Sequence, residues 1–270
     1  MELTTEWTSM DALALWASTH ALMLWASWLV FALLCGDLLW RCIRQQRQQT
    51  LPGQQTPIAL LPKTCFALAL IPLLSFACVA YAVQTQSALT HFDTAFAEQL
   101  RQHLPVPLLR GIAELTQLGN FIPLAIAGGV TCVLMLFRRQ WRLAITWAAA
   151  LLGNVAIYSS LKGYFQRPRP LDGHGFISEP TWSFPSGHAS GSMVFYGALT
   201  YVLMCLLPAR WHRAIIAAAI AFITVIGISR IMLQVHYFSD VMAGYAIGLT
   251  WLLVCVGSSE YARSRSAIHR

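Results

Sequence analysis

The amino-acid sequence predicts an all-α integral membrane protein, and three observations lead to that prediction. The composition is 57% hydrophobic and only 11% charged, whereas soluble domains carry about 25% charged residues. Seven apolar runs reach the roughly 17 to 25 residues that a helix needs to cross a bilayer. The polar stretches between these runs are short, and none is a Pro-, Gly- or Ser-rich linker that would separate soluble domains.

The first predicted span, Ala12–Trp40, follows an acidic segment and precedes a basic one. A secretory signal peptide has the opposite order of charges, so this run is expected to stay in the protein as an N-terminal span. The other six predicted spans follow it along the chain. They are Thr64–Val83, Phe121–Phe137, Leu143–Leu161, His188–Leu207, Ala214–Arg230 and Phe238–Ser258.

The basic residues are divided unequally between the two sides of the predicted membrane. Of the 18 lysines and arginines, twelve follow spans one, three, five and seven, and six lie on the other side. The positive-inside rule therefore places the twelve, and the C-terminus, in the cytoplasm. The same bias accounts for the net charge of +7, so nucleic acid is not expected as a partner.

The outer segment between spans two and three, residues 84–120, carries an apolar stripe at three- and four-residue spacing. This spacing predicts an amphipathic helix. The helix could lie in the membrane interface or could pack on the protein's own outer loops. The residues of the stripe are Leu89, Phe92, Phe96, Leu100 and Leu104.

Three groups of polar residues lie at the ends of predicted spans. Two neighbouring groups are separated along the chain either by no crossing or by two crossings, so all three are expected at the same membrane face. Residues far apart in sequence can therefore form one site. The groups are Lys162-Gly-Tyr-Phe-Gln-Arg-Pro-Arg169-Pro170, Pro185-Ser186-Gly187-His188, and Ser229-Arg230 followed by His236 and Asp240.

Lys162, Arg169 and Arg230 supply three cations, which suits the binding of a phosphate dianion. Ser186 and Gly187, at the predicted start of span five, can add a helix cap and backbone N–H donors. Separately, each piece has a simpler explanation. The first two cations could be interface anchors, and the Pro-Ser-Gly tripeptide could be an ordinary helix start. Arg230 follows an apolar run, where a charge is costly and usually functional.

Two histidines complete the set. A neutral imidazole can attack phosphorus and form a phosphohistidine. Asp240, four residues after His236, can fix its tautomer and stabilise its cationic form. His188 is then available to protonate the leaving oxygen and later to activate water. His236 could instead belong to an interfacial aromatic belt, but separate explanations do not account for the common face.

These three motifs resemble the signature of the type 2 phosphatidic acid phosphatase superfamily. Lys-x6-Arg-Pro, Pro-Ser-Gly-His and Ser-Arg-x5-His-x3-Asp are all present in order, and the resemblance extends over about residues 93–258. It implies a six-helix core formed by spans two to seven, with the first span as an addition. It also implies a histidine phosphatase without metal or cofactor. The roles implied are nucleophile for His236, its partner for Asp240, acid and base for His188, and phosphate cage for Lys162, Arg169, Ser186, Gly187 and Arg230.

The resulting expectation is a bacterial inner-membrane enzyme whose active site faces the periplasm and takes a lipid phosphate from the outer leaflet. Undecaprenyl pyrophosphate, phosphatidylglycerophosphate and phosphatidic acid are the substrates considered. The insert at residues 171–184 is too short to form a large lid over such a site. Two other functions stay open, namely a lipid phosphotransferase with the same site and a non-enzymatic transporter with a phosphate pocket.

The expected domain organisation follows from the same resemblance. Residues 1–63 hold the N-terminal span and a cytoplasmic loop, residues 64–258 hold the phosphatase core, and residues 259–270 form a basic cytoplasmic tail. The seven cysteines are scattered and fit neither a disulfide framework nor a metal site.

Overall fold

The structure is a computed structural model that describes residues 2–49, 62–170 and 180–268. Residues 171–179 of the insert lie outside the described residues, as does most of the loop before Lys63. Within the described residues the regular structure is helical. The helices are α1 Glu2–Thr19, α2 Ala21–Gln49, α3 Pro62–Gln84, α4 Ala88–His103, α5 Val106–Leu115, α6 Phe121–Phe137, α7 Trp141–Phe165, α8 Gly187–Leu206, α9 His212–Met232 and α10 Phe238–Ile268.

Seven helical segments in the described ranges are long and apolar enough to cross a membrane. This finding confirms the prediction of an all-α membrane protein with an additional N-terminal span. Spans two to seven correspond to α3, α6, α7, α8, α9 and α10. The segments are Ala21–Cys42, Pro62–Gln84, Val106–Phe137, Trp141–Phe165, Gly187–Leu206, Ala209–Met232 and Phe238–Arg265.

The first span differs from the predicted single helix over Ala12–Trp40, and that boundary was wrong. The helix is interrupted at His20, so that α1 ends before this residue and the membrane-length segment is Ala21–Cys42. The hydroxyl of Thr19 donates to the carbonyl of Trp16 at 2.9 Å, and Nδ1 of His20 lies 2.9 Å from the same carbonyl. Side chains that bond nearby backbone groups compete with helical hydrogen bonds, which favours a helix end here.

The predicted amphipathic outer helix is α4, and it packs against α1. The hydroxyl of Ser87 accepts a hydrogen bond from the backbone N–H of Leu89 at 3.3 Å and so caps the N-terminus of α4. Phe96, Leu100 and Leu104 of the stripe are buried, and its other two residues are half-buried, so the stripe packs on the protein itself. This is nearer to the second of the two expected arrangements, with α1 in the place of the outer loops. The buried members of the stripe share an apolar cluster with α1, namely Phe96, Leu100, Leu104, Ala14 and Ala17.

Helices of the bundle are joined through small residues and through hydrogen bonds donated by indoles. Nε1 of Trp147 in α7 donates to the carbonyl of Gly128 in α6 at 2.9 Å. Gly244 and Gly248 of α10 face α8, and a Cβ added to Gly244 would lie only 2.6 Å from the carbonyl oxygen of Ser186. Such close approach requires small residues, and it fixes the start of α8 relative to α10.

The ends of α7, α8 and α10 that lie away from the predicted site are joined by a polar network, here called the opposite-end cluster. Its members are Arg142, Tyr201, Ser259 and Glu260. Nη1 of Arg142 donates to Tyr201 Oη at 2.7 Å and to Ser259 Oγ at 2.6 Å. Tyr201 Oη donates to Glu260 Oε1 at 2.6 Å, and the Glu260 side chain is fully buried. A buried carboxylate needs such partners, so the cluster ties three spans together.

Candidate active site

The predicted site residues meet at one end of the bundle, where α7 and α9 end and α8 and α10 begin. Lys162 lies in the last turn of α7, and Gly187 is the first residue of α8. Arg230 lies in the last turn of α9, and Asp240 lies in the first turn of α10. His236 lies in the turn between these two helices. The structure therefore brings the three motifs together, as the count of crossings predicted.

Lys162 and Arg169 are held by the segment that leads into α8. Nζ of Lys162 donates to Thr181 Oγ1 at 3.1 Å and to the carbonyl oxygen of Trp182. Nε of Arg169 donates to the carbonyl oxygen of Thr181 at 2.7 Å, and its Nη1 donates to that of Val235 at 2.5 Å. The two cations of the first motif are therefore anchored on backbone near the turn that carries the histidine.

Arg230 is the most deeply buried of the three cations, with no exposed surface. Its Nη1 donates to Thr116 Oγ1 at 3.2 Å, and Ser229 Oγ donates to the same hydroxyl at 2.8 Å. The backbone carbonyl of Arg230 accepts from the N–H groups of Val235 and His236, at 3.2 and 3.3 Å. One residue therefore places both a buried charge and the turn that presents the histidine.

The imidazole of His236 is 2% exposed and lies between a cation and a carboxylate. Its Nε2 is 3.3 Å from Nη1 of Arg169, and its Nδ1 is 3.4 Å from Oδ2 of Asp240. Because a guanidinium can only donate, the hydrogen-bond network assigns the lone pair to Nε2 and the hydrogen to Nδ1. Burial lowers the pKa of His236 well below 6.5, and Arg169, Arg230 and Lys162 lower it further. The ring is therefore neutral at pH 7.

Asp240 is fully buried and uses both carboxylate oxygens. Oδ1 accepts from Nη1 of Arg167 at 2.7 Å. Oδ2 accepts from the backbone N–H of Tyr237 at 2.9 Å and from the hydroxyl of Ser183, and it faces Nδ1 of His236. The carboxylate is thus fixed from three sides while one oxygen stays directed at the imidazole.

The start of α8 forms another wall of the site. Ser186 caps the helix, because its Oγ accepts from the N–H of Ala189 at 3.4 Å. Its own N–H donates to the carbonyl oxygen of Asp240 at 3.0 Å, which joins the starts of α8 and α10. His188 follows Gly187 in the first turn of α8 and lies within electrostatic reach of the three cations and of the other histidine. Both histidines therefore border the same cationic region.

Four residues that were not selected from the sequence hold this arrangement together. Arg167 donates to Asp93 Oδ2 at 2.8 Å as well as to Asp240. Thr181 accepts from Lys162, and Ser183 donates to Asp240. Arg167 belongs to the first motif segment, but its position is not one of those that the resemblance assigns a role. Asp93 lies on the predicted amphipathic helix, and its only signal was a carboxylate on a face bounded by apolar residues.

Comparisons with known proteins agree with this architecture. The fold and the converging motifs define a polytopic helical membrane protein, and a family model described as the PAP2 superfamily matches residues 143–264. This family is the type 2 phosphatidic acid phosphatase superfamily that the motifs indicated, so the comparison confirms the resemblance. Phosphatidylglycerophosphatase B of Bacillus subtilis is 28% identical over 196 residues, which make up 69% of this chain and 92% of that protein.

Two further relatives match over shorter stretches. Lipid A 1-phosphatase of Rhizobium etli is 34% identical over 39% of this chain and 48% of its own length. Undecaprenyl-diphosphatase of Sulfolobus acidocaldarius is 30% identical over 46% of this chain and 58% of its own length. Among solved structures, a transmembrane PAP2-type phosphatidylglycerolphosphate phosphatase from Bacillus subtilis superposes with a TM-score of 0.65 at 25% identity. The superposition covers 72% of this chain and 96% of that one.

Proposed function

We propose that this chain is a membrane phosphatase that hydrolyses a phosphomonoester or pyrophosphate group of a lipid through a phosphohistidine on His236. The observation that carries the proposal is the position of the neutral imidazole. Its unprotonated Nε2 faces Arg169, while Lys162 and Arg230 act on the same ring electrostatically. A phosphate bound by these cations would lie beside the nucleophilic nitrogen, with its charge compensated.

The chemistry then runs in two balanced steps. Nε2 of His236 attacks phosphorus, the bond from phosphorus to the lipid oxygen breaks, and His188 donates a proton to the departing oxygen. The imidazole becomes cationic, and Asp240 stabilises it through Nδ1–H. In the second step His188 takes a proton from water, whose oxygen attacks phosphorus. The bond between phosphorus and Nε2 breaks and its electron pair returns to Nε2, so that inorganic phosphate leaves and His236 is neutral again.

The membrane setting supports a lipid as substrate. The site lies at the ends of membrane-length helices, and relatives are named as phosphatases of phosphatidylglycerophosphate, lipid A and undecaprenyl diphosphate. The cation cage recognises a phosphate and not a particular lipid tail. We therefore propose undecaprenyl pyrophosphate or a glycerophospholipid phosphate, which are the two classes of substrate that the sequence also favoured.

The test is release of inorganic phosphate from a panel of lipid phosphates by the purified protein in detergent, with and without EDTA. The panel contains phosphatidic acid, phosphatidylglycerophosphate and undecaprenyl pyrophosphate. We expect release from at least one of them, at the same rate with EDTA, because three protein cations carry out the neutralisation that a metal supplies elsewhere. Loss of activity in EDTA that magnesium restores would contradict the metal-free mechanism. Phosphate transferred to an added lipid or sugar acceptor in place of water would make the protein a phosphotransferase.

The side of the membrane on which the reaction occurs is a separate prediction. Gln84, at the end of α3, lies at the site end of the bundle, and Gln140, between α6 and α7, lies at the other end. Both are exposed. A single cysteine at either position, in a chain whose own seven cysteines are replaced, serves as a probe. In intact cells an impermeant thiol reagent should label position 84 and not position 140. The reverse pattern would place the site in the cytoplasm.

A further inference from the structure

Arg167 is a buried cation whose contacts are with the supports of the site and not with the nucleophile. Its side chain is 8% exposed. Nη1 lies 2.7 Å from Oδ1 of Asp240 and 2.8 Å from Ser239 Oγ, and Nη2 lies 2.8 Å from Oδ2 of Asp93. The guanidinium also stacks 4.2 Å from the ring centroid of Tyr237. Both terminal nitrogens are therefore engaged with carboxylates, in contrast to Arg169, which reaches His236.

Asp93 comes from α4, outside the three motifs, and it is as completely engaged as Asp240. Its Oδ1 accepts from the backbone N–H of Ser239 at 3.1 Å, and its Oδ2 accepts from Arg167 and from the hydroxyl of Ser239. Asp93 is 1% exposed. The outer helix α4 is thereby bound to the first turn of α10, which carries Asp240.

The charges of this group have a consequence for the imidazole. One guanidinium facing Asp240 alone would cancel the negative charge that stabilises a cationic His236. With Asp93 included, two carboxylates share one guanidinium, and the group keeps a net charge of about −1 next to Nδ1. Arg167 in turn compensates the repulsion between the two buried carboxylates. The geometry is what a carboxylate needs if it is to stay ionised and oriented inside a protein.

We propose that Arg167 and Asp93 are positioning residues that hold Asp240 ionised and directed at Nδ1 of His236. They act through Asp240 and do not touch the phosphate. This inference rests on the proposed function, because it describes how the proposed nucleophile is oriented. It predicts an effect on the rate of the chemical step and not on the binding of the substrate.

The first variant is Arg167→Gln, which removes the cation and leaves two buried carboxylates close together. One of the two carboxyls then holds a proton at neutral pH, because neighbouring buried carboxylates cannot both stay ionised without a cation. We expect kcat to fall on the order of 10- to 100-fold, with KM changed by less than about twofold. Full activity depends on an ionised Asp240, so the acid limb of the kcat profile should move to higher pH.

The decisive variant is the double substitution Arg167→Gln with Asp93→Asn. Removing the second carboxylate abolishes the repulsion, so the double variant should be at least about threefold more active than Arg167→Gln alone. Its acid limb should move back towards that of the wild type. A residue with a merely structural role would instead give a double variant no better than the single one. That result, or a wild-type pH profile for Arg167→Gln, would overturn the proposal.

The charged groups around Asp240, which also bear on the pH dependence of the reaction, come from different segments of the chain. Arg167 faces it from the segment after α7, Asp93 from α4 beyond the guanidinium, and His236 from the turn before α10. Arg169 of the cage faces Nε2 on the other side of the imidazole, and all three cations of the cage are unchanged in these variants. The shift expected on removal of Arg167 is therefore assigned to the carboxylate pair.

Arg142→Gln in the opposite-end cluster is the control, because it also removes an arginine that contacts a buried carboxylate, although the Arg142 side chain itself is half-buried. It should lower the unfolding temperature and leave the pH profile of the folded protein unchanged.

If Arg167→Gln does not fold, Arg167→Lys keeps the charge but cannot bridge both carboxylates. It should still lower kcat at constant KM, and a wild-type kcat would contradict the proposal. Failure of the wild type on every lipid phosphate would instead disprove the proposed function.

Discussion

Replacing His236 with alanine is expected to abolish turnover of every substrate, because no other side chain occupies the position of the nucleophile. The neutral ring has its lone pair on Nε2, which faces Arg169, and its N–H on Nδ1, which faces Asp240. A nucleophile is required whatever group departs, so the loss should be the same for pyrophosphates, aryl phosphates and alkyl phosphates. The measurement is phosphate release at saturating substrate, with thermal unfolding in detergent as the check on folding.

The other histidine gives a contrasting expectation. A general acid contributes less when the leaving group is already a weak base. His188→Ala should therefore lose less activity on a pyrophosphate or aryl phosphate than on an alkyl phosphate monoester. Asp240→Asn should be impaired but active, since the imidazole keeps its place while its orienting charge is lost.

Trapping the intermediate separates these roles directly. Rapid acidic quench is unsuitable because phosphohistidine is acid-labile, so the quench should be alkaline and the phosphorylated peptide mapped by mass spectrometry. We expect phosphate on His236. Phosphate on His188, or substantial turnover by His236→Ala, would show that the two roles are assigned incorrectly, even though the similarity to the superfamily would be unaffected.

The sequence predicted the spans and the convergence of the motifs because both depend on local properties. Apolar length sets where a helix can cross a bilayer, and the number of crossings sets which ends meet. The boundary of the first span was wrong because hydrophobicity continues across His20, where side-chain hydrogen bonds to the carbonyl of Trp16 accompany the end of α1. The hydrophobic composition of a segment does not indicate where a helix within it ends.

The supporting residues could not be predicted because their roles depend on packing between distant segments. Asp93 is 146 residues before its partner Ser239, and Arg167 meets it only because α4 folds over the start of α10. In the sequence Arg167 and Arg169 are two similar arginines in one motif. Their different roles follow from the turn after α7, where Gln166 has a φ of 43° and the chain leaves the helix.

Substitution of Gly244 is expected to have a large effect on both stability and activity, because at this position the fold and the site are coupled through backbone contacts. A Cβ on Gly244 would lie 2.6 Å from the carbonyl oxygen of Ser186 and 3.0 Å from the Cβ of Ala189. Neither atom is the end of a flexible side chain, so α8 must move away from α10. Gly244→Ala should therefore lower the free energy of unfolding by about 1–3 kcal/mol, the usual cost of overpacking.

The loss of activity should exceed what this destabilisation explains. The displaced residue, Ser186, begins the helix turn that carries His188, and its N–H is bonded to the carbonyl of Asp240. A shift of about 1 Å between α8 and α10 separates the two histidines from their common substrate position and can cost on the order of 100-fold in rate. The comparison is phosphate release by the folded fraction of Gly244→Ala and of the wild type.

Gly129→Ala is the control, since a Cβ at Gly129 in α6 would meet no atom within 4 Å. Alanine is the better helix former by roughly 1 kcal/mol, so this variant should be as stable as the wild type or more stable, with unchanged turnover. A Gly244→Ala protein that keeps wild-type activity would mean that α8 can yield without moving its first turn. The start of α8 would then be positioned by the Ser186–Asp240 hydrogen bond and not by the close contact of the two helices.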